Sequence, residues 1–188
     1  MNEIITEKNY PVQGLWIFKS NFVPLFTLLF SSLIFFLAYY AYDTSETSKD
    51  SEAVFYIFLL MVGLSIIYFI DTILKRANFH YSIEEKFLTV KQGILSKQQR
   101  HIPYGVIQNL FVKQDLLDRI FGLASLTIEN ASQGSGALGT PRQQVEIVGF
   151  FGNKVIIPGL TQKDAEILKG IILQKMKENP IDDSQSGL

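Results

Sequence analysis

Two long stretches near the start of the chain carry no ionisable side chain. Residues 22–42 and 53–70 contain no Asp, Glu, Lys, Arg or His. Because a helix rises about 1.5 Å per residue, the first stretch is long enough for the roughly 30 Å hydrocarbon core of a bilayer. The second is shorter and is extended by apolar residues one turn further on. The pattern predicts two transmembrane helices, residues 22–42 and 53–75, joined by a short external loop at 43–52.

The flanks of the first stretch favour a membrane span over two other interpretations. Pro24 falls in the first helical turn, where a missing N–H costs little, and Trp16 and Tyr42 lie where interfacial aromatic side chains collect. A cleaved signal peptide has an apolar core of about 7–15 residues followed by small residues, whereas this stretch is longer and ends in tyrosines. A buried hairpin in a soluble helical bundle is the remaining alternative.

Charged residues around the two stretches predict the orientation of the chain. The connector 43–52 carries four acidic residues and one lysine. Lys19 precedes the first stretch, and Lys75 and Arg76 follow the second. Because positively charged flanks stay on the cytoplasmic side, we expect a multi-pass membrane protein. Both termini then lie in the cytoplasm, with residues 1–21 as a cytoplasmic N-terminal segment.

Asp71 is the one ionisable residue close to the second predicted span. Acidic residues within membrane helices can mark a proton or ion pathway. Lys75, however, lies four residues further along, so an ion pair at the cytoplasmic end of the helix is the simpler interpretation. The alternative makes the chain an accessory subunit of a transporter or membrane enzyme.

The overall charge and the absence of cysteine exclude several functions. The 17 basic and 18 acidic residues give a net charge of −1, so the chain has no basic field to attract nucleic acid. With no cysteine, the chain forms no disulfide, thiolate nucleophile or cysteine-based metal site. We therefore expect the lipid bilayer, and no nucleic acid, among its partners.

From Asn78 onward the apolar periodicity changes to short alternating segments separated by turn residues. This pattern is typical of a mainly β domain, which we place at residues 76–179, followed by a disordered tail at 180–188. Pro103 ends one segment because proline donates no ladder hydrogen bond. The seven predicted strands are 78–84, a second through Leu88 and Val90 that ends at Gly93, 96–102, 107–113, 124–128, 143–151 and 154–157.

Two helical segments complete the predicted domain. Residues 115–121 form a helical turn before Gly122. Thr161 and Asp164 provide a capping-box-like start for a C-terminal helix that runs to about Glu178. The apolar side chains of this helix share one stripe, so it should pack on the open end of the sheet.

Two short motifs match functional patterns, but neither has the context that its function requires. Residues 134–139 spell G-x-G-x-x-G, yet a dinucleotide site needs a helix at the last glycine, and here Pro141 and another strand follow. Residues 130–132 match the N-glycosylation acceptor pattern on a segment that is predicted to be cytoplasmic. A glycine-rich loop between two strands explains both better.

No residues form a recognisable active site. The two histidines, His80 and His101, have no acidic residue at a metal-ligand spacing beside them. No serine lies in a nucleophile-elbow context, and the adjacent carboxylates fall only in a turn and in the tail. The sequence therefore predicts no catalytic residue, no metal, no cofactor and no small-molecule substrate.

Basic residues cluster around the third predicted strand. Lys97, Arg100 and His101, together with Lys91, could form a stripe that faces anionic lipid headgroups or a partner. The simpler interpretation is a solvated edge strand.

The stretch from Ile102 to Ile128 carries a more specific pattern. An I-P pair, an I-Q pair, a Q, two leucines, an R and a G-L pair follow one another in order. With the seven strands, the C-terminal helix and the two preceding apolar helices, the chain resembles the bacterial pleckstrin-homology (PH) domain family, in its membrane-anchored YdbS-like branch. The residues of the pattern are Ile102, Pro103, Ile107, Gln108, Gln114, Leu116, Leu117, Arg119, Gly122 and Leu123.

The resemblance implies a PH-like fold behind the two membrane helices and a place in the bacterial cytoplasmic (inner) membrane. About seven antiparallel strands then form a bent sheet or partly open barrel, with one C-terminal helix. Gln114 and Arg119 flank a short apolar turn, and we expect them to bond neighbouring backbone and stabilise the fold. Glu84 and Glu85 occupy the first hairpin, where phosphoinositide-binding PH domains concentrate lysine and arginine, so inositol-phosphate recognition is not expected.

The function expected from these patterns is that of a membrane-anchored, non-catalytic interaction or scaffold module. A partner strand could add to the edge strand 96–102, or copies could associate through the C-terminal helix region. The expected assembly is a homo-oligomer or a hetero-assembly with related PH-domain membrane proteins. Peripheral sensing of anionic lipid is the alternative.

Overall fold

The structure is a computed structural model, which describes residues 5–42, 48–130, 149–151 and 153–180. The chain folds into two compact units. Residues 17–76 form a helical unit, and residues 1–16 together with 77–188 form the other. The helical unit is therefore inserted into the sequence of the second unit, which holds every strand that the structure describes.

Three helices form the N-terminal part of the chain. α1 (Leu15–Ser20) leads into α2 (Phe22–Tyr42), which coincides with the first predicted helix. α3 (Ser48–Ala77) begins earlier than the predicted residue 53. Phe35 of α2 stacks on Phe58 of α3, with ring centroids 5.0 Å apart, so aromatic packing holds α2 and α3 together.

One helical segment in the described part of the chain is long and apolar enough to cross a membrane. It is Phe55–Ala77, and few of its residues are buried. In α2 the corresponding apolar stretch is shorter, Phe22–Leu37. Exposed aliphatic and aromatic side chains run along both helices, a surface that suits lipid better than water. Of the two expected membrane spans, the second is therefore supported by its length and composition.

The second unit contains two four-stranded antiparallel sheets. Alternating apolar residues produce them, because every second side chain of a strand points into the core. All seven predicted strands are present with shifted ends, although only residues 149–151 of the predicted strand 143–151 are described. The first sheet has the order β1 (Ile5–Thr6), β2 (His80–Ile83), β3 (Phe87–Gln92) and β4 (Gln98–Pro103). The second has the order β5 (Ile107–Lys113), β6 (Leu123–Asn130), β8 (Lys154–Thr161) and β7 (Gly149–Phe151).

A 3₁₀ turn, Tyr104–Val106, connects the two sheets. The Tyr104 side chain is fully buried, and its hydroxyl donates to the carbonyl oxygens of Glu84 (2.8 Å) and Phe87 (3.0 Å). Burial, and secondarily the Glu84 carboxylate, raises the pKa of Tyr104 far above its usual value, so the hydroxyl stays a donor. The corner between the sheets is thereby tied to the β2–β3 turn.

Two helices complete the second unit. α4 (Leu116–Phe121) connects β5 to β6, and α5 (Gln162–Glu178) follows β8. The Thr161 hydroxyl oxygen accepts the Asp164 N–H (3.1 Å), which is the expected start of the C-terminal helix. Leu168 and Ile172 of α5 are fully buried in a core shared with both sheets. The predicted packing of this helix on the sheet is present.

The N-terminal segment belongs to this second unit. β1 pairs antiparallel with β2, placing Ile5 opposite Ile83. Further along the segment, the Tyr81 hydroxyl donates to the carbonyl oxygen of Tyr10. Val12 is buried in the same core as the strands. The two-residue strand β1 was not predicted, and it makes the segment a part of the PH-like domain.

Trp16 is buried in the domain, so its ring does not face lipid as an interfacial aromatic side chain would. Its side chain is 2% exposed and packs on Gly159 of β8. The Gln13 N–H donates to the Gly159 carbonyl oxygen at 2.7 Å. Gly159 has a φ of +64°, and a Cβ there would lie 2.6 Å from the Trp16 Cβ. Glycine is required at this position for both reasons.

We expect Gly159→Ala to destabilise the domain much more than Gly122→Ala. Gly122 also has a positive φ, of +67°, but no atom lies within 4 Å of a Cβ built on it. Gly122→Ala should therefore cost only backbone strain, about 1 kcal/mol, whereas Gly159→Ala adds a clash and should cost about 3 kcal/mol or more. Denaturant unfolding in detergent, followed by fluorescence of the sole tryptophan, measures both. Equal losses would contradict the packing described.

A polar ladder crosses the second sheet at its solvent side. The Glu129 carboxylate accepts hydrogen bonds from Lys154 (2.6 Å) and Asn109 (3.0 Å) on the neighbouring strands. The bond from Lys154, and then that from Asn109, holds the pKa of the Glu129 carboxyl below its ordinary value of 4.5. Because the folded-state pKa is depressed, the stabilisation by these two bonds is present above the ordinary value of 4.5. It is lost as pH falls through the folded-state pKa.

The Glu129→Gln variant should therefore differ from the wild type in a pH-dependent way. Near neutral pH it should be less stable by up to about 1 kcal/mol, since the ion pair is partly exposed. As pH falls below 4.5 and through the lowered folded-state pKa, the difference should shrink and then disappear, because the wild-type carboxylate becomes protonated. Denaturant unfolding across this pH range measures the difference. A difference that stayed constant down to pH 3 would contradict this role for the ladder.

Candidate functional site

β4 is an edge strand of the first sheet. It pairs with β3 along its whole length, and no other described strand pairs with it. Its first four side chains, those of residues 98–101, are all exposed, whereas Ile102 is buried in the core. All four are polar or basic, which keeps an exposed edge soluble. An exposed strand with one free side is the geometry that accepts a further strand.

The register of β4 divides the predicted basic stripe between two faces of the sheet. His101 lies opposite Thr89, and Lys91 lies on the same face because it is two residues from Thr89. Arg100 lies opposite the buried Val90 and therefore on the other face. Lys97 lies in the β3–β4 hairpin loop. The four residues do not form one continuous stripe.

A hydrogen-bond network covers the outer face of the first sheet. The Thr89 hydroxyl lies 2.9 Å from Glu84 Oε1 and 2.9 Å from His101 Nδ1, and Gln99 Nε2 lies 2.9 Å from His101 Nε2. A carboxylate only accepts, so Thr89 donates to Glu84 and His101 Nδ1–H donates to Thr89. Gln99 then donates to Nε2 of a neutral imidazole. The network orders the face beside the β4 edge.

A groove of about 660 Å³ lies on the same face, next to the N-terminal segment. At one side of it, Glu7 Oε2 and His80 Nδ1 are 2.9 Å apart. One acidic residue, Glu7, lines this groove together with Lys8 and Lys91, so the groove lacks a single sign of charge to select an anion or a cation. The side chains that line it include Glu7, Lys8, His80, Ser82, Thr89 and Lys91.

The geometry offers no arrangement for metal chemistry. In the described ranges, no three His, Asp or Glu side chains lie close enough together to hold a metal ion. The glycine-rich motif at 134–139 lies outside the described residues, as do the second and third positions of the 130–132 motif and the tail at 181–188.

The residues of the family pattern occupy two kinds of position. Ile102 and Ile107 are buried in the core, and Gly122 ends α4 in the left-handed conformation. Gln114 Nε2 donates to the carbonyl oxygen of Leu123 at 2.7 Å, so it holds the two ends of the α4 connection together. The remaining polar and proline positions are exposed, namely Pro103, Gln108 and Arg119.

Exposed apolar side chains occur beside Arg119 on α4 and, separately, at the tip of the β3–β4 hairpin, and the sequence patterns did not reveal them. On α4, Leu116 and Ile120 are 74% and 67% exposed. At the tip of the β3–β4 hairpin, Leu95 is 100% exposed. The sequence does carry a signal for the exposed Leu95. An isoleucine-leucine pair follows directly after the turn glycine Gly93, whereas hairpin loops usually carry polar residues.

In the helical unit, Asp71 and Lys75 form an ion pair across one turn of α3. Asp71 Oδ2 and Lys75 Nζ are 2.6 Å apart, and both side chains are partly exposed. Each charge has a partner within its own helix, so the geometry gives no sign of a separate ion pathway.

The comparisons with known proteins agree with this architecture. A family described as "Bacterial PH domain" matches residues 28–176, which include most of α2, all of α3 and the domain behind them. The chain belongs to the bacterial PH-domain family. The resemblance drawn from Ile102 to Ile128 is confirmed.

One curated relative of this PH-domain chain is the UPF0699 transmembrane protein YdbT of Bacillus subtilis (strain 168). The two are 29% identical over 96 residues. The aligned part is 50% of this chain and 20% of YdbT, so the chain matches only about a fifth of that relative. No solved structure matches the chain. Family membership and the apolar α3 support a membrane protein with a PH-like domain.

Two motif positions should respond differently to alanine. Gln114→Ala leaves the Leu123 carbonyl oxygen without its donor at a buried position and should cost about 1–2 kcal/mol of unfolding free energy. Arg119→Ala removes an exposed side chain and should change stability by less than about 0.5 kcal/mol. Denaturant unfolding of both variants in detergent tests this. A large loss for Arg119→Ala would assign Arg119 the structural role expected from the sequence.

Proposed function

We propose that this PH-domain chain is a membrane-anchored, non-catalytic interaction module that binds a protein strand at the free edge of β4. The observation that carries the proposal is a six-residue strand that is paired on one side by β3 and has four successive exposed side chains. Main-chain donors and acceptors at such an edge supply affinity, and alternate side chains supply specificity. The ordered Thr89–His101–Gln99 network beside the edge keeps it preformed.

The anchor in this proposal consists of both apolar helices. α2 is 21 residues long, which suffices for a second span beside α3. The acidic connector between them and the basic residues Lys19, Lys75 and Arg76 favour cytoplasmic termini. The domain then lies on the cytoplasmic face of a bacterial membrane.

The partner in this proposal is a second copy of the chain or a related PH-domain membrane protein. Sheets of the same family present compatible edges, and tethering to one membrane keeps them at high local concentration. The absence of a recognisable nucleophile in the sequence supports a role without catalysis. The Asp71–Lys75 pair, closed within one helix, makes the accessory-transporter alternative the weaker one.

Photo-crosslinking in native membranes tests the edge. A photoreactive residue at Arg100, on β4, should capture a partner, whereas the same residue at Lys86 in the β2–β3 turn should not. Proline substitutions at Gln98 and Gln99 then probe the main chain. Because consecutive N–H groups of a strand point to opposite sides, one proline removes a bond to β3 and the other blocks the open edge.

The proline variant that remains folded, judged by its Trp16 fluorescence, should lose capture at Arg100 by about fivefold or more, as expected for about 1 kcal/mol per lost bond. The mass of the captured species separates a homo-oligomer from a hetero-assembly. Undiminished capture in a folded variant with the open edge blocked would refute the proposal, as would equal capture at Arg100 and Lys86.

A further inference from the structure

The chain leaves the domain after Trp16 and re-enters it near His80, and these two connections limit how far the adjoining parts of the domain can lie from the helical unit. The helical unit begins after Trp16 and ends at Arg76. α3 ends at Ala77 and β2 begins at His80, so by chain length this end of β2 lies within about 10 Å of the helix. This inference rests on the membrane anchor of the proposed function: with α3 as a span, such short connections keep the residues next to Trp16 and His80 within reach of the bilayer.

The tip of the β3–β4 hairpin lies at the same end of the sheet as His80. β2 runs away from that end to the turn at 84–86, and β3 returns, placing Lys91 opposite His80. Gln92 pairs with Gln98, so the five-residue loop 93–97 extends about 7 Å beyond the level of the His80–Lys91 pair. Leu95 at its tip is 100% exposed.

The exposure of Leu95 is built into the turn. Gly93 has a φ of +109°, and a Cβ on it would lie only 1.9 Å from the Ser96 carbonyl oxygen. The close approach of Gly93 to Ser96 requires glycine and holds the intervening Ile94 and Leu95 at the tip. A fully exposed leucine in an ordered turn is unfavourable in water and favourable in a lipid interface.

α4 lies beside the other connection to the helical unit. It ends at Gly122, and the next residue, Leu123, pairs with Thr161 of β8. Trp16 packs on Gly159, two residues from Thr161, so α4 lies about 10 Å from the point where the chain leaves the domain. Its exposed Leu116 and Ile120 are four residues apart and share one face.

The charges around these side chains suit anionic headgroups. Residues 86–114 contain five lysines and arginines and no acidic residue. Lys97 follows Leu95 in the hairpin loop, and Lys113 and Arg119 precede and follow Leu116; all three are exposed. The acidic residues beside Leu116 in sequence are Asp115, which precedes α4 and is half-buried, and Asp118, which is buried and accepts the Asp115 N–H at 3.2 Å.

We propose that the PH-like domain docks on the surface of its own membrane through a docking face that consists of Leu95, Leu116 and Ile120. The three side chains enter the headgroup–acyl boundary of the bilayer, and Lys97, Lys113 and Arg119 contact anionic headgroups. This surface is separate from the β4 edge and does not depend on partner binding there. Docking restricts the domain to one orientation, with the β2–β3 turn pointing away from the bilayer.

Site-directed fluorescence on the full chain tests the docking face, because the absence of native cysteine permits single labelling. An environment-sensitive dye is attached at Leu95→Cys, at Leu116→Cys and, as control, at Glu85→Cys in the β2–β3 turn. The protein is reconstituted in phosphatidylcholine vesicles with or without phosphatidylglycerol. With phosphatidylglycerol, the dyes at 95 and 116 should shift to the blue and be quenched by nitroxide-labelled lipid, while the dye at 85 stays accessible to aqueous iodide.

Lysine variants test the charge contribution with a matched pair. In the Leu95→Cys background, Lys97→Gln should lower the ratio of docked to undocked domain about fivefold, since a lysine near an anionic surface contributes about 1 kcal/mol. Lys86→Gln, at the opposite end of β3, should leave the ratio unchanged. Equal effects of the two variants would overturn the role of Lys97.

Two further results would overturn the docking face itself. One is iodide quenching at Leu95 and Leu116 as strong as at Glu85 in phosphatidylglycerol vesicles. The other is a dye that is protected from iodide but is not quenched by lipid nitroxide. If this protection is lost when the protein is diluted into more lipid, the surface contacts a second copy of the chain and not the bilayer.

Discussion

The packing of the N-terminal segment onto the sheet is the contact on which the rest of this structure depends. β1 pairs with β2, and Trp16 fills the space beside Gly159, so residues 5–16 and the strands after residue 77 form one folded body. The helical unit is consequently an insertion closed at both ends on the same domain. Forming this closed loop costs conformational entropy, which the buried Trp16 and the shared core offset.

This closure determines which surfaces of the domain remain available. β1 covers one edge of the first sheet, while β4 forms the other edge. At the end of the sheet far from the helix connection, Tyr104 and Asn179 bond the β2–β3 turn, so that end is held by the domain itself. At the near end, the β3–β4 hairpin extends with Leu95 exposed. The proposed partner edge and the Leu95 hairpin of the proposed docking face thus lie at different places on the first sheet, while Leu116 and Ile120 of that face lie on α4.

Much of the fold could be predicted from local pattern, because each element carries its own signal. Alternation in β2 and β3, the cap at Thr161 and the order of the motif from Ile102 to Gly122 identified the strands, the last helix and the family. β1 could not be predicted, since two residues carry no periodicity. The basic stripe was predicted as one surface because sequence proximity ignores alternation, which places Arg100 and His101 on opposite faces.

The environment of Trp16 could not be determined from local sequence pattern and depends on tertiary contacts. The uncharged stretches, the turn glycines and the motif spacing already specified apolar helices followed by a mainly β domain, because secondary structure follows periodicity and turn chemistry. An aromatic residue just before an apolar helix suits a membrane interface and a protein core equally well. Only the long-range contact with Gly159 decided for the core, and only cross-strand register placed Leu95 at the end of the sheet where the chain meets its helices. Both depend on residues far apart in sequence, whose proximity exists only once the strands of the domain have paired and packed.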